Sequence, residues 1–433
     1  MQLTPDAAGA IPGPDWLVRR RLAAAEMVAG APMPSADEEV WRYTPIGQLD
    51  LSRYRLAEGP DGISTASAPQ HSAMADTGNG RLCGVELSAE VARQGVEVRA
   101  LGEGDAEWAA SVDVDLFALM NAAFSAEPVL VRVPPGASVE GPIVVRHWLD
   151  ADGAAVFPRL IVDAGADSSV EVLELYGSTD VDAFVSPVIE IRAAAAARVG
   201  YLAVQDLGPR VWHIGSQVGH IGSQAHMRAS SAALGGEYAR MRLDTHLSGR
   251  GATGDLVSLY FGDGRQTLDF RTFQDHAAPD TTSSLLFKGA VDDTSRSVYT
   301  GLIRVRPDAR GTNAYQTNRN IKLSEDAWAE SVPNLEIENN EVHCSHASTV
   351  GPIDGDQLFY LESRGVPTET AERLIVTGFF DEVLDRFPVA GAVPAVRERL
   401  QTKIAGLSHH DEQHDRRKEA DGSNGQPGTD HDR

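Results

Sequence analysis

Beyond Glu127 the chain settles into one repeating pattern of apolar and polar positions. Short β-branched runs alternate with turns rich in Gly, Ala, Pro and Asp: VLVRV-PPGAS-VEGPIVV, RLIV-DAGAD-SSVEVLEL, VIEIR-AAAAA-RVGYLAV, THL-SGRGATG-DLVSLY and LIRVR-PDARG-TNAYQ. Val133, Val162, Ile191, Leu247 and Val305 occupy one place in successive units, at intervals of 29, 29, 56 and 58, or one, one, two and two steps of 28 to 29. A strand–turn–strand unit recurring at a fixed period is the sequence form of a solenoid, in which each coil covers the hydrophobic face of the last. No 10-to-15-residue helical patterns separate the strands, which disfavours a doubly wound βαβ fold. A β-sandwich remains the competing architecture.

The flanks have other periods. Residues 15–29, DWLVRRRLAAAEMVA, predict a helix capped by Asp15, with Trp16, Leu17, Arg20, Arg21 and Ala24 on a mixed apolar face. Trp41, Tyr43 and Pro45 form an aromatic patch that reads as a packing element. Residues 57–80 are Gly-, Ala-, Ser- and Pro-rich with almost no large apolar side chain, and predict a flexible loop. From 81 to 128 the pattern is mixed, with a helix around Asp115–Phe124.

Beyond Gly351 the period turns helical. Asp354 and Gln357 stand as an N-cap and its partner ahead of Leu358, Phe359 and Leu361. After Pro367, Ala371, Leu374, Ile375, Phe379, Val383 and Leu384 share one side, and Val393, Val396, Leu400 and Ile404 mark a further helix. These stripes predict helices that cover the end of the solenoid or meet a partner chain. The domain plan is therefore 1–128 mixed and helical, 129–350 β, 351–407 helical, and 408–433 a polar tail expected to be disordered.

A formal charge of −24 disfavours nucleic acid or an anionic membrane as the partner, because both reward clustered Lys and Arg. Two cysteines, Cys83 and Cys344, rule out a disulfide framework and point to a reducing compartment. The first residues lack the basic start and apolar run of a secretory signal, and no apolar stretch approaches the roughly 20 residues of a membrane helix. The expected location is the cytoplasm.

Candidate chemistry concentrates in PNLEIENNEVHCSHASTVGPIDGDQLFYLESRG, Pro333 to Gly365. Thiolate and imidazole suit iron and sulfur-bridged clusters. Cys344 and His346, two apart, share a strand face, and His343 points the other way. The same pair is also what a buried small hydrophobe beside a structural histidine looks like. Two ligands are too few to hold a cluster permanently, so any cluster is transient or completed by another chain. His213, His220 and His226 match no metal-site spacing, and Asp275-His276 reads as a folding turn. The sequence contains no GxxxxGK[ST] phosphate loop and no GxSxG element.

The same segment, with DHAAPDTTSSLLFKGAVDDTSRSVYTGLIRV, AYQTNRNIKLS and, more weakly, WRYTP, resembles the SufD branch of the SufB/SufD family of iron–sulfur cluster assembly scaffolds. The similarity is dense over about residues 270–385 and thin before residue 130. Where SufB-like sequences carry His-Glu-Ala-Thr, this chain has Ser345-His346-Ala347-Ser348-Thr349, with no glutamate after the histidine. Gly-Ala often follows the histidine in SufD-like sequences where Ala347-Ser348 stands here, a departure among small residues. The resemblance implies a right-handed parallel β-helix. It implies that His346 and Cys344 lie where a nascent cluster forms with a SufB homologue, with no permanently bound cofactor. It also implies that a SufC ATPase docks on the helical region, which here maps to Leu358, Phe359, Tyr360, Leu361, Arg364 and Gly365. Two alternatives are a SufB-like homodimer and a β-helix enzyme acting on polysaccharide.

Overall fold

The structure is a computed structural model describing residues 3–59, 62, 68–108 and 115–406. Its centre is a parallel β-solenoid of about eight turns. One sheet contains Val129–Val133, Arg159–Ala164, Val188–Ala193, Val211–Ile221, Tyr238–Leu247, Thr267–His276, Arg296–Val305 and Trp328–Ile337. The other contains Ile143–Leu149, Ser169–Ser178, Arg198–Asp206, His226–Ala233, Thr253–Gly262, Thr282–Val291, Asn313–Lys322 and His343–Gly351. Each strand between the two end coils hydrogen-bonds to its counterparts in the coils before and after, so neighbouring coils satisfy one another's backbone groups.

The expected period holds with a correction to its register. Val162 stacks under Ile191, and Leu247 reaches Val305 through His276. Val133, however, lies two residues beyond the partner of Val162, which is Val131, and the Ile191 column continues through Gly219 to Thr245 rather than Leu247. The turns differ in length, so the repeat runs from 26 residues (Gly219 to Thr245) to 32 (Ile303 to Leu335). The slips are even-numbered, so inward-facing side chains stay inward. The turn from the first sheet to the second is built the same way in every coil but the last. One residue there has positive φ, in order Gly136, Asp167, Ala196, Gln224, Gly251, Asp280 and Gly311. Its N–H donates to a carbonyl of the next coil, as from Asp167 to Ala195 and from Asp280 to Arg310. Accepting this conformation at Ala196 and Gln224 costs about 1 kcal/mol each.

Over most of the coils before the last two strands both faces of the sheets are covered, which explains the near-continuous apolar runs there. Inside, Val131, Val162, Ile191, Leu243 and Leu268 meet Val145, Val172, Tyr201, Leu256 and Phe287. Outside the first sheet, the Leu116–Phe124 helix packs with Trp41, Phe157, Phe184 and Trp212. Asp115 caps that helix by accepting from the Ala118 N–H at 2.9 Å. The Asp15–Gly30 helix differs from expectation at its start: Pro14 is the cap residue and Asp15 lies inside the first turn. Its Arg21 is wholly buried and donates to the carbonyls of Ser125, Ile11, Pro12 and Ala126.

Two further expectations are corrected. Within residues 57–80, Ala73–Gly78 is a strand, parallel to Ile143–Leu149 and antiparallel to Arg81–Leu87. Asn79 and Gly80, with φ of 48° and 81°, close that hairpin, the left-handed pair that an Asn-Gly turn supplies. Small side chains suffice because the strand is ordered by its neighbours rather than by its own apolar surface. Residues 60, 61 and 63–67 of that stretch, and the tail beyond residue 406, lie outside the described residues.

The C-terminal helices also sit elsewhere than on the solenoid end. Thr368–Leu384 and Val393–Ala405 lie along the outer face of the second sheet, through Val376, Phe380, Val383, Val396, Leu400 and Ile404 against Leu202, Val257, Leu259 and Phe261. Lys288–Glu382 (2.6 Å), Lys403–Asp263 (2.9 Å) and Arg399–Asp206 (2.8 Å) tie them down. Ala371, Val383 and Leu384 of the expected stripe are buried, but between them the buried positions are Val376 and Phe380, one residue on from Ile375 and Phe379; Leu374 is 52% exposed. Among the described residues no strand pairs beyond the last coil of the solenoid.

Candidate functional site

The last coil ends in Trp328–Ile337 and His343–Gly351, the outermost strand of each sheet. His343–Gly351 pairs with Asn313–Lys322 on one side, and among the described residues nothing pairs with its other side. The His343 N–H donates to the Thr312 carbonyl at 2.9 Å. A parallel ladder alternates, so the backbone groups of Cys344, His346, Ser348 and Val350 face the open side.

The two open edges are not equivalent. In Trp328–Ile337 the Trp328 N–H donates inward to Ser295, so the odd-numbered residues face out, and Pro333 among them has no N–H to offer. Glu330 and Glu336 add charge to that strand. Proline and charge are the usual means of keeping an edge unpaired. His343–Gly351, HCSHASTVG, has no proline and no Asp, Glu, Lys or Arg. One edge is blunted and the other is left able to pair.

On this open strand Cys344 and His346 stack directly above Ala314 and Gln316 of the preceding coil. They point into the mouth of the solenoid, where the half-buried Cys344 packs beside Ile303, Val305 and Ala309. Burial pushes the Cys344 thiol above its ordinary range, and a backbone contact with Ala314 works the other way. A nearby cation or a metal would act in the opposite direction to that burial. His343 lies on the opposite, exposed face. Among the described residues no three His, Cys, Asp or Glu side chains converge to hold a metal ion. Cys344 and His346 are two candidate donors on a strand whose other edge is unpaired among the described residues.

His213, His220, His226 and His276 lie away from this edge. His213 is buried, His220 stacks on His246 with ring centroids 5.1 Å apart, and His226 meets Asp255 at 3.0 Å. Asp275 is held by His246 and Arg306, and His276 sits between Thr281 and Ser283 at 2.8 Å each. The folding role expected for Asp275-His276 is what these contacts describe.

The helical candidates form a second surface. Asp354 caps Gly355–Ser363 by accepting from the N–H groups of Asp356 and Gln357 at 3.0 Å. Gly365, with φ of 84°, ends it, as a left-handed residue after a helix does. This helix buries none of its residues; Phe359 is 72% exposed and Tyr360 58%. Arg364 reaches over the Tyr360 ring at 5.3 Å. With Thr368–Leu384 it walls an open groove of about 920 Å³, lined by Lys288, Arg319, Tyr360, Leu361, Leu374 and Phe379. Leu358 is only partly buried, so the apolar set Leu358, Phe359 and Leu361 faces outward or into the groove.

Comparison with known proteins gives consistent matches. The family model described as SUF system FeS cluster assembly, SufBD core domain, matches residues 147–379. An iron–sulfur cluster assembly SufBD family protein of Mycobacterium leprae is 32% identical over 403 residues, covering 91% of this chain and 94% of that protein. The iron–sulfur cluster assembly protein SufD of Bacillus subtilis is 26% identical over 413 residues, covering 90% and 94%. SufD of Escherichia coli is 26% identical over 387 residues, covering 86% and 90%.

Proposed function

The chain belongs to the SufBD family of iron–sulfur cluster assembly proteins, and on that premise we propose that it is a non-catalytic, SufD-type scaffold subunit acting in the cytoplasm. Its open edge, His343–Gly351, receives a strand from a SufB homologue. Cys344 and His346 then face a seam between two chains, where the partner supplies the ligands this chain lacks. Iron and sulfide are cargo here, held while a cluster forms and then released, and no cofactor is resident.

The observation that supports this reading best is the pairing of chemistry with incompleteness. A soft donor and a borderline donor share the inward face of the one end strand that carries neither charge nor proline. An unpaired strand edge is a docking template, and a two-donor set is a cluster site only when a neighbour closes over it. His346 acts as a transient ligand or as a proton carrier, and Cys344 as a ligand once metal has displaced its proton.

The second partner is a SufC ATPase. The groove walled by Tyr360, Leu361, Leu374 and Phe379, with Phe359 exposed beside it, is a largely apolar surface that Arg319 and the buried Lys288 also line. ATP-driven movement of a motor seated there would be transmitted through the helices clamped by Lys288, Lys403 and Arg399 to the coils beneath. The family membership leaves a polysaccharide-acting enzyme without support.

The test is co-expression with SufB and SufC homologues, size exclusion and anaerobic reconstitution with iron and sulfide. A ternary complex that forms a cluster, and a His346→Ala complex that assembles but does not, is the expected result. Cluster yield unchanged by His346→Ala would overturn the role of the site. A stable homodimer that excludes the SufB homologue would instead support a self-paired scaffold.

A further inference from the structure

The strand beneath the open edge inverts the usual pattern. In Asn313–Lys322 the inward side chains are Ala314, Gln316, Asn318 and Asn320, and Tyr315 on the outer face is half exposed. Asn318 and Asn320 are accounted for by bonds to the Tyr260 hydroxyl at 2.9 and 2.6 Å. Gln316 is not. It is 1% exposed, and neither its amide nitrogen nor its carbonyl oxygen has a hydrogen-bond partner. A buried carboxamide without partners carries a desolvation cost with nothing to offset it.

Its surroundings are shaped to keep the amide free. Gly301 faces it across the interior, and a Cβ there would lie 2.4 Å from the Gln316 amide nitrogen and 2.4 Å from the Tyr299 hydroxyl. That hydroxyl is already engaged with Thr272 at 2.9 Å. In the coil above, Ser331 stacks on Tyr299, and its hydroxyl is also without a partner. The residue stacked directly above Gln316 is His346, one strand spacing away at about 4.8 Å.

We infer that Gln316 is a positioning residue for His346: its carbonyl, unpartnered in this structure, is placed one coil below to accept the imidazole N–H when the site assembles, leaving the other ring nitrogen bare for the cluster seam. A neutral imidazole has one donor and one acceptor nitrogen. A metal-binding histidine uses its lone pair for the metal and gives its N–H to a neighbouring acceptor. Gln316 supplies an uncharged acceptor, which fixes the tautomer without adding charge beside Cys344. The inference rests on His346 belonging to the assembly site.

The experiment reads the tautomer itself. The full chain is labelled with ¹⁵N-histidine, and His346 is assigned by loss of its signals in His346→Ala. In the wild type its two ring nitrogens are expected to be well separated, one protonated and one bare. Gln316→Met, matched in length and apolar, should bring them toward a common average and lower cluster yield in the reconstituted complex by about tenfold or more. Gln316→Glu, which keeps an acceptor, should retain the wild-type tautomer. If the methionine variant does not fold, Gln316→Asn withdraws the carbonyl and makes the same comparison. Averaged nitrogens in the wild type, or a tautomer unmoved by loss of the carbonyl, overturn the inference. Cluster yield unchanged in His346→Ala overturns the site, whatever the nitrogens show.

Discussion

Replacing Ser348 with proline should abolish pairing to a SufB homologue while sparing the chain itself. Ser348 is exposed, and its backbone N–H faces the open side of the terminal strand. Proline there removes no bond made within this chain, and extended backbone at an edge tolerates it. In a strand-paired complex the substitution loses one N–H bond, worth about 1 kcal/mol, and the ring pushes the partner away, weakening the bonds at His346 and Val350 by a similar amount each. The sum is about 2–3 kcal/mol, or roughly a 30- to 150-fold rise in Kd. Titration calorimetry with the SufB homologue measures it, and thermal unfolding of the isolated variant should stay within about 0.5 kcal/mol of wild type. Thr349→Pro is the matched control. Its N–H faces the preceding coil, so it should lower the unfolding midpoint. Wild-type affinity in Ser348→Pro would refute strand addition as the mode of contact.

Other expectations are equally concrete. Leu374→Asp with Phe359→Ser should abolish co-purification of a SufC homologue with no loss of thermal stability, since both side chains are exposed; retained ATPase would place its docking surface elsewhere. His213 and His276 are both held down to about 4 by burial, from an ordinary 6.5. The unfolded chain therefore binds more protons than the folded one between those values. The stability they contribute is complete above about pH 6.5 and is lost as pH falls toward 4, by a few kcal/mol each at most. Urea midpoints from pH 7 to 4 should fall accordingly, and His276→Gln should flatten the slope; a flat wild-type profile would contradict the assignment.

The fold was legible where periodicity and burial agree. The β-branched runs specified coils because both faces of the sheets are covered over most of the coils, and Asp115 and Asp354 marked helix starts because their side chains bond the first free amides. Pattern failed where two phases were equally apolar. Ile375-Val376 and Phe379-Phe380 satisfy a helical stripe in either register, and contact with the second sheet selects Val376 and Phe380. The Ala73–Gly78 strand was hidden because its neighbours, not its side chains, order it, although Asn79-Gly80 was a usable turn signal. At the site, Cys344 and His346 could be read from type and spacing. Gln316 could not, because in AYQTNRNIK a polar residue reads as outward-facing, and here the polar face is the inner one.

The central claim is that the open edge of His343–Gly351 is completed by another chain. Residue-resolved hydrogen–deuterium exchange of this strand, alone and with the SufB homologue, tests it directly. In the free chain the amides of Ser345, Ala347 and Thr349 should already be slowed by the coil beneath, and those of Cys344, His346, Ser348 and Val350 should exchange freely. Binding should slow the second set and leave the first nearly as it was. Unchanged exchange at Cys344, His346, Ser348 and Val350 in a complex that has formed would contradict the account.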